Sequence, residues 1–328
     1  MIRKLAKAAV FLALLGGLVF WWVTRPQSLA AEVLAAAPAG DPVKGEMVFW
    51  QSGCASCHAA PKAAGNEKLK LGGGLVLKSP FGDFHVPNIS MDANDGIGTW
   101  SFADFANAMQ RGVSPEGQHY YPAFPYVSYA RMTISDVSDL YAFMKTLPSV
   151  AGVAPDHELP FPFNIRRSLG GWKFLFFKQG QVVALDNPSK QVQRGQYLTE
   201  GPGHCGECHT PRNLLGGAKN SQWLAGAVNP EGEGIIPNIT GGEGGVDSWS
   251  EGELASVLKD GFTPDFDSLG GSMTAVVANW ANVSDEDRAA VAAYLKAIPA
   301  HSNGYPTQTT TLPSPIAYFF LHQVWLAR

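Results

Sequence analysis

Charged residues are scarce in this sequence, and neither sign of charge dominates. Only 16% of the 328 residues are charged, and 24 lysines and arginines face 28 aspartates and glutamates, which gives a formal net charge of -4. A chain without a basic excess has no electrostatic footprint for nucleic acid. The sequence also lacks a glycine-rich nucleotide-binding motif and a Ser-His-Asp arrangement. No motif of nucleotide-dependent or hydrolytic catalysis is therefore present.

Cysteine is scarce as well, and its few occurrences are informative. The chain has four cysteines in two Cys-x-x-Cys pairs, and a histidine directly follows each pair. These residues are Cys54, Cys57, His58, Cys205, Cys208 and His209. In this pattern both thiols attach haem c covalently and the histidine ligates the iron. A closed zinc site needs four ligands and a thioredoxin-like pair needs a βαβ setting, and neither explains the histidines. The sequence therefore predicts two covalently bound haem c groups.

One long apolar run stands at the start of the chain. Residues 8–23 carry no charge, basic residues precede them, and two tryptophans lie at their far end. A helix from about Leu5 to Thr24 has the roughly 20 residues that a hydrocarbon core requires. The alternative is a cleavable signal, because alanines after residue 29 could host cleavage. We expect residues 1–26 to be an uncleaved anchor in a bacterial inner membrane, with the rest of the chain in the periplasm.

The chain repeats itself at a spacing of about 150 residues, which suits duplicated domains rather than a solenoid. Beyond the haem motifs, three pairs of landmarks recur in the same order. They are Pro87-Asn88-Ile89 with Pro237-Asn238-Ile239, Trp100-Ser101 with Trp249-Ser250, and Ile134-Ser135-Asp136 with Val283-Ser284-Asp285. The repeat predicts haem domains at residues 40–150 and 191–300, a linker at 151–190 and a tail at 301–328.

Each repeat is expected to contain three helices and no extended sheet. The first helix leads to the haem cysteines, the second begins at Ser101 or Ser250, and the third carries capping residues at its start. We assign those third caps to Ser135 with Asp136 and to Ser284. Glycine-rich stretches between the helices show no strand alternation. The predicted fold class is all-α, with an N-terminal transmembrane helix and two tandem class I cytochrome c-like domains.

Two apolar segments lie outside the predicted haem domains. Residues Ile165 to Phe177 are too apolar for a free linker and too few to span a bilayer. They are expected to form a short helix packed across both domains, or else to contact the membrane surface or a partner. Residues Ile316 to Leu326 of the tail are similarly apolar. They are expected either to pack on the protein or to form an interfacial or subunit contact.

Each haem iron needs a sixth ligand, and a methionine thioether raises the potential into the range of electron carriers. In the second repeat Met273 is the only methionine and lies in a glycine-rich loop before the last helix. The corresponding position of the first repeat is Phe124, which cannot bind iron. We predict Met273 as one ligand and the nearby Met132 as the other. Met91 is the main alternative to Met132 as the sixth ligand of the first haem iron. The further alternatives are His85, His119, Met109 or an open site.

The motifs resemble a known family. The stretches Gly195 to Asn213, Trp223 to Gly226, Ser79 to Trp100 and Tyr121 to Tyr126 are similar to cytochrome c subunits of bacterial membrane-bound dehydrogenases. Those subunits accompany alcohol, gluconate, fructose or molybdenum-type dehydrogenases. Many relatives differ in having a third haem domain and a methionine where Phe124 stands.

This resemblance implies an electron-transfer subunit without catalytic activity of its own. It would accept electrons from a periplasmic dehydrogenase and pass them to quinone, a soluble cytochrome or a terminal oxidase. A membrane-tethered shuttle without a dedicated dehydrogenase is a variant of the same function. The alternative from another class is a two-haem enzyme of the peroxidase or thiosulfate-oxidising type, which Phe124 keeps open because such an enzyme needs an open iron site.

Overall fold

The computed structural model describes residues 1–230, 232 and 234–302. It begins with helix α1 (Ile2–Val23), which buries none of its residues. By length and composition α1 could cross a membrane, and within the described ranges it is the single helix that could do so. A short helix α2 (Ala31–Ala35) follows and leads to the first haem domain. The predicted apolar segment of the tail lies outside the described residues.

Two helical domains follow, built from the same elements in the same order. The first contains α3 (Pro42–Gln51), α4 (Cys54–His58), α5 (Phe102–Arg111), α6 (Tyr126–Tyr129) and α7 (Ile134–Met144). The segment that connects the two domains contains α8 (Leu169–Phe176). The second contains α9 (Lys190–Glu200), α10 (Gly206–His209), α11 (Glu251–Asp260), α12 (Met273–Trp280) and α13 (Asp285–Ala297). Short 3-10 turns occur at Gly65–Leu69, Arg166–Ser168 and Asn220–Gln222. The mostly helical fold confirms the predicted class.

In each domain the first and last helices cross at a glycine. A Cβ atom built on Gly45 of α3 would lie 1.9 Å from the carbonyl oxygen of Asp139 in α7. A Cβ on Gly195 of α9 would lie 1.8 Å from the carbonyl oxygen of Ala290 in α13. These distances are far below any van der Waals contact, so the backbones approach closely only because both positions lack a side chain. The crossing holds the helix that precedes each haem motif.

The helix caps agree with the sequence at three of four predicted positions. Ser101 and Ser250 cap α5 and α11 through complete capping boxes, and the Ser284 hydroxyl accepts a hydrogen bond from the Asp287 N–H of α13. The prediction of Ser135 and Asp136 as the cap of α7 is wrong. The cap is Thr133, which has an extended backbone and accepts from the Asp136 N–H at 3.0 Å. Ser135 and Asp136 already lie within the first turn, where their backbone is helical.

Two small antiparallel hairpins occur where the sequence predicts only loops. Strands β1 (Val76–Ser79) and β2 (Gly82–His85) pair in the first domain, and β3 (Ala227–Val228) and β4 (Ile235–Ile236) pair in the second. The turn of the first hairpin is fixed by the Ser79 hydroxyl, which donates to the Gly82 carbonyl. Strands of two to four residues are too short for alternation to be visible in a sequence.

Helix α8 lies against both haem domains. The ammonium of Lys173 donates to the carbonyls of Arg111 and Gly112 in the first domain, at 2.6 and 2.8 Å. The indole of Trp172 donates to the carbonyl of Leu215 in the second domain at 2.8 Å. These contacts make the segment between the domains part of the packed structure rather than a free tether.

Candidate haem sites and their interface

The first haem motif forms a short helix directly after α3. Cys54 and Cys57 stand three residues apart on α4, so both thiols lie on one side of the helix. Gly53, which precedes them, adopts a left-handed conformation with φ of 66°. The Nδ1 atom of His58 donates to the carbonyl of Pro87 at 2.8 Å. That bond fixes the imidazole tautomer and leaves Nε2 as the lone-pair donor for a metal.

The second motif repeats this arrangement. Cys205 stands just before α10, and the Nδ1 atom of His209 donates to the carbonyl of Pro237 at 2.8 Å. Pro87 and Pro237 are the first residues of one of the landmark pairs found in the sequence. Their carbonyls therefore explain that landmark, because each orients the histidine of its own motif.

The chemistry of both motifs fits haem c. Burial lowers the pKa of His58 to about 4 and lowers that of His209, so both rings are neutral and able to ligate iron. Burial also raises the pKa of the Cys54 and Cys205 thiols to about 12, so neither is a reactive thiolate. No disulfide joins the four cysteines. Within the described residues there is also no cluster of three or more side chains suited to another metal.

The structure places the predicted sixth ligands in different settings. Met273 is half-buried and is the first residue of α12, a helix that stands where the sequence predicts a loop. Met132 is buried in the hydrophobic core just before α7, and its carbonyl accepts from the side-chain amide of Gln110 at 2.6 Å. Met91 is half-buried at the edge of the same core. The assignments of Met273 and Met132 to iron stay predictions.

Two of the alternative ligands have other partners. The Nε2 atom of His85 lies 3.2 Å from a carboxylate oxygen of Glu158, and Nε2 of His119 donates to the carbonyl of Thr24 at 2.9 Å. Phe124 packs its ring edge-on against Tyr129, with 5.8 Å between the ring centroids. An aromatic side chain thus fills the position that corresponds to Met273.

The landmark asparagines close turns. The side-chain oxygen of Asn88 accepts from the Ser90 N–H at 2.9 Å, and that of Asn238 accepts from the Thr240 N–H at 2.8 Å. Their amide groups bind the chain that follows the last helix of each domain, at the carbonyls of Val150 and His301, respectively. Both asparagines therefore tie the end of the domain to the loop that follows the proline carbonyl.

The two haem motifs face each other across a reciprocal interface. The hydroxyl of Ser128 in α6 donates to the carboxylate of Glu207 in the second motif at 2.8 Å. The amide of Asn279 in α12 donates to the hydroxyl of Ser56 in the first motif at 2.7 Å. Ser56 and Glu207 occupy the same place in their motifs, the residue before the second cysteine. The contacts therefore relate the domains by an approximate twofold axis.

His204 and Tyr129 lie at the centre of this interface. Their rings stack edge-on with centroids 5.6 Å apart, and the Tyr129 hydroxyl donates to the carbonyl of Ser52 at 2.7 Å. A Cβ on Gly53 would lie 3.6 Å from Nε2 of His204. The residues that precede the two cysteine pairs are thus close neighbours across the interface.

His204 lies at the interface although it belongs to neither haem motif identified in the sequence. The structure places this half-buried histidine between the domains, against Tyr129. One signal was available: His204 takes the place of Gly53 in the repeat and likewise has a positive φ, of 39°. A non-glycine residue in that conformation costs free energy, which the packing of its ring offsets.

Polar contacts at the edge of the interface bind the helices of one domain to the other. Gln51 of α3 donates to the carboxylate of Asp287 in α13 at 2.7 Å, and both residues are buried. Asp287 also receives two hydrogen bonds from Arg194, at 2.7 and 3.0 Å. On the opposite side Tyr197 donates to Asp136. The two domains therefore form one continuous body with a shared hydrophobic core.

Two tandem helical domains, each with an oriented neutral histidine beside a cysteine pair, define a c-type cytochrome. Comparison with known proteins agrees with this. The sequence profile described as cytochrome c matches residues 42–148 and 192–299, and the chain belongs to the cytochrome c family. It carries two c-type haems, and its function is electron transfer. The assignment of their attachment and ligation to Cys54, Cys57 and His58 and to Cys205, Cys208 and His209 stays a prediction.

The chain is similar to several curated proteins. A diheme cytochrome c-type protein of Cereibacter sphaeroides is 51% identical over 298 residues, which cover 91% of this chain and 99% of that protein. The cytochrome subunit of fructose dehydrogenase of Gluconobacter japonicus is 36% identical over 80% of this chain and 54% of its own. The cytochrome c subunit of a quinone-type alcohol dehydrogenase of Gluconobacter oxydans is 34% identical over 87% of this chain and 61% of its own length. The chain thus spans little more than half the length of these dehydrogenase subunits.

Proposed function

We propose that this cytochrome is the membrane-anchored electron-transfer subunit of a periplasmic dehydrogenase in a bacterial inner membrane. A dehydrogenase would reduce one haem, the second would receive the electron, and quinone, a soluble cytochrome or a terminal oxidase would accept it. The direct bonds between the two haem motifs and the opposite domains, Ser128 to Glu207 and Asn279 to Ser56, carry this proposal, because they bring the two attachment sites together across one interface. The names of the fructose and alcohol dehydrogenase relatives support a dehydrogenase as the donor.

Helix α1 supports the membrane location. Arg3, Lys4 and Lys7 lie at its start and a tryptophan pair at its end, which is the arrangement of a helix with its N-terminus in the cytoplasm. Its end is also fixed to the first haem domain, because Thr24 is only 1% exposed and its carbonyl accepts from His119. The haem domains would therefore sit directly on the periplasmic surface of the inner membrane rather than on a flexible stalk.

Haem c supplies one-electron chemistry, and the residues of this chain prepare its two sites. The Pro87 and Pro237 carbonyls hold His58 and His209 with Nε2 available to iron. Desolvation lowers the pKa of both rings and keeps them neutral. The reciprocal bonds of Ser128 and Asn279 hold the motifs at a fixed separation, and a fixed separation is what rapid electron exchange requires.

Isolation of the full chain with its native partner tests this function. The detergent-solubilised, tagged protein should copurify a dehydrogenase subunit, and the substrate of that dehydrogenase should reduce both haems. A variant with Cys205 and Cys208 changed to alanine should still accept electrons at its one haem but should not sustain oxygen consumption by membranes. Copurification of no dehydrogenase would contradict the proposal.

The enzyme alternative rests on Phe124, whose ring occupies the place of an axial methionine. A wild-type protein whose first haem binds carbon monoxide, and which reduces peroxide or oxidises thiosulfate without a partner, would establish that alternative. A methionine-ligated iron resists such binding. The carbon monoxide spectrum of the purified chain therefore separates the two functions.

A further inference from the structure

Several large apolar side chains are exposed on the segment between the haem domains. Five of its side chains are exposed by 42 to 79%: Phe161, Phe163, Ile165, Phe174 and Leu175. We call these residues the linker patch. Isolated exposed apolar residues are ordinary, but a group of large ones marks a surface that another phase or molecule covers.

The linker patch belongs to a segment that is bound to the end of α1. Arg167 donates to the carbonyl of Trp21 at 2.7 Å and to the hydroxyl of Thr24 at 2.9 Å. Gly170 in the first turn of α8 packs so closely that an added Cβ would lie 2.4 Å from the carbonyl oxygen of Thr24. If α1 spans the bilayer, its last turn marks the level of the periplasmic surface of that bilayer. The segment that touches this turn must then lie at the same level.

The charges around the linker patch suit a lipid surface. Residues 159–178 include four basic residues and no acidic residue, and of the four Lys173 turns its ammonium toward carbonyls of the first domain. The guanidinium of Arg167 lies 5.9 Å from the ring centroid of Trp21, and that of Arg25 lies 5.5 Å from that of Trp22. Tryptophan rings beside arginines are typical of the headgroup layer, where the rings bury and the cations meet phosphate. Basic residues near a membrane surface are attracted to anionic lipids.

We propose that the linker patch is a second membrane contact, inserted into the outer headgroup region of the same bilayer that α1 crosses. This inference rests on the proposed function, because it needs α1 as a span. Its occupant is lipid rather than a protein partner, since the segment that carries the patch is bound to the end of the span through Arg167 and Gly170. Two contacts would fix the haem domains in one orientation to the membrane, which a single helix cannot do.

Single introduced cysteines can test this contact in the full-length holoprotein. All four native cysteines are consumed by haem attachment, so a maleimide dye would label only the new position. The positions are Leu14→Cys in the middle of α1, Phe174→Cys and Leu175→Cys in the linker patch, and Phe266→Cys in a loop of the second domain. Phe266 is the matched control because it is an exposed aromatic residue, at 89%, outside the patch.

The labelled proteins are reconstituted in vesicles of phosphatidylethanolamine and phosphatidylglycerol, with and without acyl-chain-brominated phosphatidylcholine as a quencher. The labels at Leu14 and Phe174 should each lose on the order of half their emission, because interfacial residues reach about 5 to 10 Å into the boundary of headgroups and acyl chains. The label at Phe266 should keep its emission. Leu175 serves as a second patch position if the Phe174 variant fails to retain its haems.

The outcomes separate the two proposals. An unquenched label at Leu14 would show that α1 does not span, and the membrane part of the proposed function would fail together with the linker contact. A quenched label at Leu14 with unquenched labels at Phe174 and Leu175 would leave the anchor standing and overturn the linker contact. Equal quenching at Phe266 and Phe174 would show that the vesicles contact the protein without preference, and would also overturn it.

Discussion

The crossing of the first and last helices offers the sharpest test of how these domains are held together. In a Gly45→Ala variant the new methyl group would lie 1.9 Å from the Asp139 carbonyl oxygen and 2.8 Å from the Cβ of Phe143. Ordinary contacts between carbon and oxygen begin near 3.3 Å. Helices α3 and α7 must therefore separate locally by about 1.4 Å. The obstacle is backbone, so no side-chain rotation can relieve it.

The cost of this separation follows from packing. A gap of about 0.5 to 1 Å already forfeits a quarter to a half of each dispersion contact across it. The crossing buries Val48 and Phe49 of α3 against α7, so many such contacts weaken together. We expect a loss of about 3 kcal/mol, the upper end for overpacked cores. In a domain of this size, that loss lowers the melting temperature by on the order of 10 to 20 °C.

The duplicated fold provides both a replicate and a control. Gly195→Ala should destabilise the second domain similarly, because its Cβ would lie 1.8 Å from the Ala290 carbonyl oxygen. Gly252→Ala in α11 should stabilise slightly, by about 0.5 kcal/mol, since the nearest atom is 3.9 Å away and alanine favours helix. Melting of the holoprotein followed by circular dichroism measures all three. If the Gly45→Ala protein has the same melting temperature as the Gly252→Ala protein, the reasoning is wrong.

Three further predictions concern the haem sites. Met273→Ala should lower one haem potential and remove about half of the near-infrared band of methionine-ligated ferric haem, and an unchanged spectrum would place the ligand elsewhere. Met132→Ala should open the first haem to carbon monoxide whereas Met91→Ala should not, and the reverse result would exchange their roles. His204→Gly keeps the positive φ but removes the ring contact with Tyr129, so it should lower the free energy of unfolding by about 1 kcal/mol. Denaturant unfolding checks this change, and a more stable variant would mean that backbone strain outweighs the ring contact.

The sequence identifies the parts of this protein that depend on local chemistry. The haem motifs and the caps at Ser101 and Ser250 are each encoded within a few residues. The structure confirms these caps, and the family match confirms two cytochrome c domains. The capping of α7 was misassigned because Thr133, Ser135 and Asp136 can all cap a helix. Only the backbone path decides that Thr133 does so. The short hairpins were missed for the same reason, since their strands are too brief to carry a pattern.

What the sequence could not show depends on residues that are distant along the chain. Gly45 is constrained by a carbonyl almost a hundred residues later, and nothing near it in the sequence indicates the crossing. His204 acquires its role only when Tyr129 of the other domain is placed against it. Both are consequences of tertiary packing. An internal comparison of the repeats could have found His204, because it replaces a glycine that needs a positive φ.

The approximate twofold interface is chemically asymmetric, and the asymmetry predicts different haem potentials. The residue before the second cysteine is the neutral Ser56 in the first motif and Glu207 in the second, where Ser128 and Arg212 both donate to its carboxylate. In Glu207→Gln the guanidinium of Arg212 would remain beside the second haem without its counter-charge. That positive charge disfavours the ferric state and should raise the second potential.

An interaction on the order of 1 kcal/mol corresponds to about 40 mV for one electron. Spectroelectrochemical titration of the purified holoprotein should show one potential raised by this amount and the other unchanged. Glu251→Gln, an exposed carboxylate of the same domain, should move neither potential, because solvent screens it. If both potentials shift equally in Glu207→Gln, the carboxylate acts through the shared interface rather than on the second haem alone.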